Sequence, residues 1–219
     1  MNFLNEVVPI VVPAIGQTLI LVFVSSAFAV LLGLPVGVVL TLTRSGGLKE
    51  NPKVYSLLDS LTNFVRSVPF IILMLILIPV MRLVTGKAYG TAATIIPLTA
   101  AALPFFARLL ENALNNVDRG IIEAARAMGT PVGTMVRRVL IPEALPQIIN
   151  AVTLVIINLV GYSAMAGAIG GGGLGEVAVR YGYSYKRYEI LWVAVILIVI
   201  LVQLVQWLGT RLEKNVDKK

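Results

Sequence analysis

Long apolar runs set the first limit on what this chain can fold into. Near residues 15–43, 64–84, 91–110, 146–169 and 190–209 the sequence holds stretches of the length a helix needs to cross a bilayer core, about 20 residues. A water-soluble domain carries about 25% charged residues, whereas this chain has 13% charged and 58% hydrophobic residues. The intervals between runs are short. Residues 1–219 are therefore expected to form one all-α, polytopic membrane domain with five transmembrane helices. The first run starts near Val7, too long for one straight span, and Pro13 is expected to part a short interfacial piece from the helix proper. Met1 to Glu6 contain no basic residue, unlike the head of a cleavable signal peptide.

The cations lie mostly in the segments between the runs. A net charge of +7 would suit nucleic acid in a soluble protein, but here Lys and Arg set the orientation in the bilayer. With the N-terminus outside, twelve fall in the inner segments and five in the outer ones, leaving aside Arg66 near the start of the second span. That bias predicts N-outside and C-inside. The chain has no cysteine and no histidine. Disulfides, thiolate chemistry and the commonest proton shuttle are thereby absent.

One segment, about 118–142, has no reason to lie in lipid. Ile121, Ala125, Met128, Val132, Met135 and Val139 recur at the spacing of an amphipathic helix pair. Arg126, Arg137 and Arg138 are left for water. Gly129 can take the left-handed conformation that ends a first helix, Thr130 can cap the next, and Pro131 suits its first turn. Glu123 falls in an early turn, where the helix dipole favours a carboxylate. Ala124 and Ala125 leave a shallow face that another protein can approach. Ile141-Pro142 and Leu145-Pro146 end the knuckle and return the chain to the membrane.

Glu123-Ala124-Ala125, three residues, Gly129, nine residues and then Val139-Leu140-Ile141-Pro142 resembles the cytoplasmic loop of permease subunits of bacterial ABC importers. The family more often ends this pattern Ile-x-Leu-Pro, a conservative difference. Further likeness, to methionine importer permeases, extends along nearly the whole chain. It includes Gly33-Leu34-Pro35-Val36-Gly37, Arg66-Ser67-Val68-Pro69-Phe70, Ala107-Arg108-Leu109-Leu110-Glu111-Asn112, Leu159-Val160-Gly161-Tyr162-Ser163-Ala164-Met165 and Gly171-Gly172-Gly173-Leu174-Gly175. The resemblance implies a type I importer permease in the bacterial inner membrane, working as a homodimer. Two ATPase subunits would hold ATP and Mg and grip the loops, and an extracytoplasmic methionine-binding lipoprotein would deliver cargo. It assigns the coupling to Glu123, Ala124, Ala125, Arg126, Met128, Gly129, Val132, Arg137 and Pro142.

The remaining motifs are weaker. Gly170 to Gly175 lacks the Gly-Lys-Ser/Thr ending of a phosphate loop and reads as a flexible turn. With Tyr181, Tyr183, Tyr185 and Arg187 it is a possible meeting point for a delivery protein. No Ser/His/Asp set or metal cluster is present, so the chain is expected to carry no cofactor and no catalysis of its own. Arg108 and Glu111 are spaced to pair on one helix face, and Asp59 and Arg66 flank the second span. Gly33 and Gly37 read first as a packing face and second as a dimer contact. The fourth run alone has polar groups near mid-depth, and Asn158, Tyr162, Ser163 and Met165 are the candidates for a translocation path. An ion-gradient transporter is the rival class; it would need inverted repeats, broken helices and an intramembrane acid. Within the importer reading, the cargo stays open between methionine and another amino acid, a small peptide or a quaternary amine.

Overall fold

The computed structural model describes residues 3–217, and these form helices and turns with no strand. The first helix, α1, runs unbroken from Phe3 to Thr43, about 60 Å at 1.5 Å per residue and twice the thickness of a bilayer core. Pro13 does not divide it. Val7, Val11 and Ala14, on either side of that proline, are buried against Leu174, Val177, Ile190 and Ala194. Packing of this face outweighs the hydrogen bond that proline removes. Glu6 is tied to Arg187 across the same contact at 2.9 Å.

The second run is where the expectation of a simple span fails. Asn51 caps α2, Pro52–Ser67, by accepting from the Val54 amide, and Pro52 occupies the first turn. Pro69 holds Val68 extended and stops the helix. The chain turns by 103° between α2 and α3, Phe70–Ile76. A further break at Leu77 leads into α4, Ile78–Thr85, which Gly86 ends at φ +72°. Residues 64–67 thus belong to an earlier, amphipathic helix, and the expected span 64–84 is a broken one. Among the described residues four helices are long and apolar enough to cross a membrane uninterrupted, and the count is five where the bent pair is taken as one span.

The other spans run longer than or close to expectation: α5 Thr91–Asn115, α9 Leu145–Gly167 and α11 Tyr188–Val216. Between α5 and α9 lie α6, Arg119–Ala127, α7, Val132–Met135, a π-helical turn Val136–Leu140 and α8, Ile141–Glu143. Past α9, a short α10, Gly173–Glu176, continues into a π-helical stretch Val177–Ser184 before α11. The α5 helix is central, packed by α1, α2, α3, α4 and α9. Phe106, Ala107 and Leu110 of α5 are fully buried.

Close approach of α1 and α5 depends on two glycines. A Cβ at Gly37 would lie 2.7 Å from the Ala107 carbonyl oxygen, and one at Gly33 2.9 Å from the Phe106 ring. These glycines pack within the chain, as the first of their two readings has it, and face α5 instead of a second copy. Gly37→Val is expected to destabilise the protein by about 1–3 kcal/mol through overpacking against backbone. Gly16 meets nothing within 4 Å, so Gly16→Ala should leave stability equal or higher. Thermal unfolding in detergent checks both; equal midpoints for the two variants would contradict this packing.

Candidate functional site

The knuckle opens at Asp118, whose carboxylate accepts from the Gly120 amide at 2.6 Å and caps α6. Its far end closes with Gly129 at φ +71°. The Gly129 amide donates to the Arg126 carbonyl, and the Thr130 amide donates to that of Ala125. This double bond pattern is a Schellman stop, for which glycine is the favoured residue. The next helix is capped at Pro131 and begins at Val132, with no side-chain cap from Thr130. Sequence reading placed Gly129 correctly, put the following cap one residue early and overlooked Asp118.

Burial divides the knuckle differently from the stripe the spacing predicted. Ala125, Met135, Val136 and Leu140 are buried, and Ile122 and Val132 pack on the main core. Ile121 and Met128, assigned to the inner face, are 40% and 78% exposed. Ala125, placed by sequence both in the apolar stripe and on the approachable alanine face, is 5% exposed, as the stripe has it, and anchors α6 to the bundle. Glu123, Ala124, Arg126, Met128, Gly129, Arg137 and Pro142 all lie on the outside, and Val132 is half-buried. The wide π turn Val136–Leu140 precedes Pro142, which has no amide hydrogen and needs room for its ring. Between knuckle and bundle is a cavity of about 280 Å³ lined by Arg44, Arg119, Glu123 and Arg126. Arg44 Nε and Asn115 Oδ1 at this end have no hydrogen-bond partner among the described residues.

Of the four candidate path residues, the structure brings two together. Asn158 and Tyr162 line a cavity of about 210 Å³ with Val65, Arg66, Val68, Phe70, Ala101 and Phe105. The Tyr162 ring stacks on Phe70, centroids 4.7 Å apart and planes 3° from parallel. Met165 is exposed outside this cavity, on the same side of α9 as Leu154 and Gly161. Ser163 is buried and donates to the Val160 carbonyl at 2.8 Å, so within this chain it packs along its own helix.

Charge inside the bundle includes the expected Arg108–Glu111 pair and a further partner. Arg108 does reach Glu111, at 2.6 Å, but its other nitrogen binds Asp59 at 2.5 Å. Tyr55 donates to the second Glu111 oxygen at 3.2 Å. The cluster fastens α2 along α5, and Asp59 belongs to Arg108 instead of Arg66. An acid at position 59 seven residues before Arg66 gave no signal of this, because the partner is 49 residues away.

The glycine turn at the opposite end is pinned. The Gly173 amide donates to Gln17 Oε1 at 2.8 Å, the Leu174 amide to Thr18 Oγ1 at 2.9 Å, and the Gly90 amide to the Gly170 carbonyl at 2.9 Å. Gly173 to Gly175 are buried, which corrects the reading of a flexible turn. Beside it Tyr183 and Tyr185 are exposed, and Tyr181 is half-buried. Hydrogen bonding to Glu189 first, and then to Glu6, pushes the Arg187 guanidinium above its ordinary value and keeps it charged.

Comparison with known proteins now bears on these surfaces. The sequence pattern of the family described as "Binding-protein-dependent transport system inner membrane component" matches residues 29–218. A probable D-methionine transport system permease protein MetI of Vibrio cholerae is 47% identical over 206 residues, 94% of this chain and 92% of that protein. The Haemophilus influenzae protein of the same description is 46% identical over 210 residues, 96% and 99% of the two chains. Among solved structures, an inward-facing conformation of the MetNI methionine ABC transporter superposes with TM-score 0.96 at 44% identity, covering 100% of both chains. An amino acid ABC transporter with histidines superposes with TM-score 0.79 at 22% identity, a likeness of fold alone.

Removing Arg108 would strand Glu111, which is 3% exposed. Arg108→Leu is expected to cost about 3–5 kcal/mol, the usual range when one partner of a buried pair is lost. The double variant Arg108→Leu/Glu111→Leu should recover part of that loss in detergent unfolding. Additive losses would contradict a buried pair.

Proposed function

The chain belongs to the binding-protein-dependent transport system inner membrane component family, and on that premise we propose that it is the permease of an ATP-driven methionine importer. It is a multi-pass membrane permease, and the likeness to methionine permeases near 47% identity over almost the whole chain supports this cargo over another amino acid, a peptide or a quaternary amine. The rival ion-gradient class loses its clearest mark. A broken helix is present at Val68–Pro69, yet it occurs in a chain of an ABC importer family, so a broken span does not separate the two classes.

In the proposed assembly two copies enclose the path. A separate ATPase chain docks on each knuckle and supplies ATP, Mg and hydrolysis, and a methionine-binding lipoprotein delivers cargo at the glycine-turn end. The knuckle end faces the cytoplasm and the N-terminus lies outside, in keeping with the Lys and Arg bias. The observation that carries the coupling role is the exposure of Glu123, Ala124, Arg126 and Met128 on a helix anchored from behind by Ala125. A push on such a helix is passed to packed core residues instead of being lost in a loose loop. Alternating access then follows from ATP state biasing two arrangements of the dimer.

The knuckle assignment also changes which variants isolate coupling. A charge at Ala125 would disturb the fold, so the outward residues are the ones to alter. Met128→Glu is expected to weaken ATPase docking about tenfold or more, the scale of a lost central anchor, while leaving the permease folded. Copurification of the two chains, together with ATP-driven uptake of labelled L- and D-methionine in proteoliposomes, checks this. Uptake driven by a sodium or proton gradient without ATP would overturn the proposed function.

A further inference from the structure

The bend at Val68–Pro69 leaves a cation in an unusual place. Along α5, the α2 helix climbs from Tyr55 beside Glu111, through Asp59 beside Arg108, to Arg66 beside Phe105 and Ala101. Ala101 and Phe105 lie about 15 and 21 Å along an α5 about 36 Å long, at 1.5 Å per residue. On the facing wall, Asn158 and Tyr162 lie about 20 and 26 Å along an α9 about 33 Å long, at 1.5 Å per residue. Arg66 therefore opens at mid-depth, and no hydrogen-bond or ion-pair partner for it occurs among the described residues. Ionised groups at this depth are expensive, normally paired, and a mark of function when they are not. Neither the Asn158 amide nor the Tyr162 hydroxyl has a hydrogen-bond partner among the described residues.

We propose that Arg66, Asn158 and Tyr162 form the permease's own contact for the amino-acid cargo, with Arg66 receiving the carboxylate. This rests on the importer reading above. A guanidinium fork matches a carboxylate with two parallel hydrogen bonds. The Asn158 and Tyr162 oxygens can accept from the cargo ammonium, and no carboxylate lines the cavity to hold that group tightly. Phe70, Phe105 and Tyr162 give an aromatic wall that suits a thioether side chain. At about 210 Å³ the cavity falls below the roughly 300–1,000 Å³ of sites for drug-sized ligands. Its volume is on the scale of a single amino acid. Weak retention at mid-path is what an importer needs, since cargo must leave as readily as it enters.

The test uses the assembled complex with its ATPase chains and no delivery protein. Saturation-transfer NMR measures contact with L-methionine and with L-methioninol, which lacks the carboxylate. Arg66→Gln should reduce the methionine signal about tenfold, the scale of a lost charge-assisted bond, and leave methioninol unchanged. Arg66→Lys, which keeps the charge without the fork, should give a smaller loss of methionine alone, and it decides the matter if Arg66→Gln fails to assemble. A methionine signal equal to wild type in both variants, or equal losses of methionine and methioninol, would overturn the proposal. ATP-driven methionine uptake by the wild-type complex in proteoliposomes, with the delivery protein added back, separates the two levels. Its absence sinks the importer reading and this site together, whereas its presence with indifferent Arg66 variants sinks the site alone.

Discussion

Contact between α1 and α5 at Gly33 and Gly37 is the packing on which the other parts rest. With a glycine at each crossing, backbone meets Phe106, Ala107 and Leu110 directly, and dispersion contacts replace any hydrophobic drive that lipid would cancel. The helix so fixed presents Arg108 and Glu111 to α2, Phe105 and Ala101 to the mid-depth cavity, and its end to the knuckle. One buried helix thus connects the surface open to a partner with the polar cavity at mid-depth. Displacement of α5 would be felt at both.

Rigidity at the knuckle has a local origin. A capped start at Asp118, a Schellman stop at Gly129 and a π turn ahead of Pro142 satisfy backbone groups that would otherwise need water. Ala125, Met135, Val136 and Leu140 then seat the pair on the bundle. What stays outside is a small polar and sulfur-bearing face. That division between anchored and open sides is what a mechanical link between two chains requires.

The helical class, the third to fifth spans and the glycine stop were legible from apolar run length and from Gly129 alone, because those signals are local. The path of the second span was not, although Val68-Pro69 stood in plain view; an apolar run on both sides of a proline does not tell whether the chain kinks or turns by 103°. Pro13 shows the reverse error, since a helix with a well-packed face keeps going through proline. Ile121 and Met128 fit the amphipathic spacing yet face outward, because α6 turns Ile122 and Ala125 toward the bundle, a face offset from the stripe that the apolar spacing marks. The Asp59–Arg108 pair and the hold of Gln17 and Thr18 on the glycine turn join residues far apart in sequence, which no local pattern reveals.

The central claim is that the knuckle and the opposite end of the bundle move as one lever under an ATPase. A spin label at Arg137 reads the distance between the two knuckles of the dimer, and a label at Tyr183 reads the distance between the two opposite ends. On adding ATP to the complex held from hydrolysis, the lever predicts that the Arg137 distance shortens while the Tyr183 distance lengthens. A change at Arg137 with none at Tyr183 would contradict it.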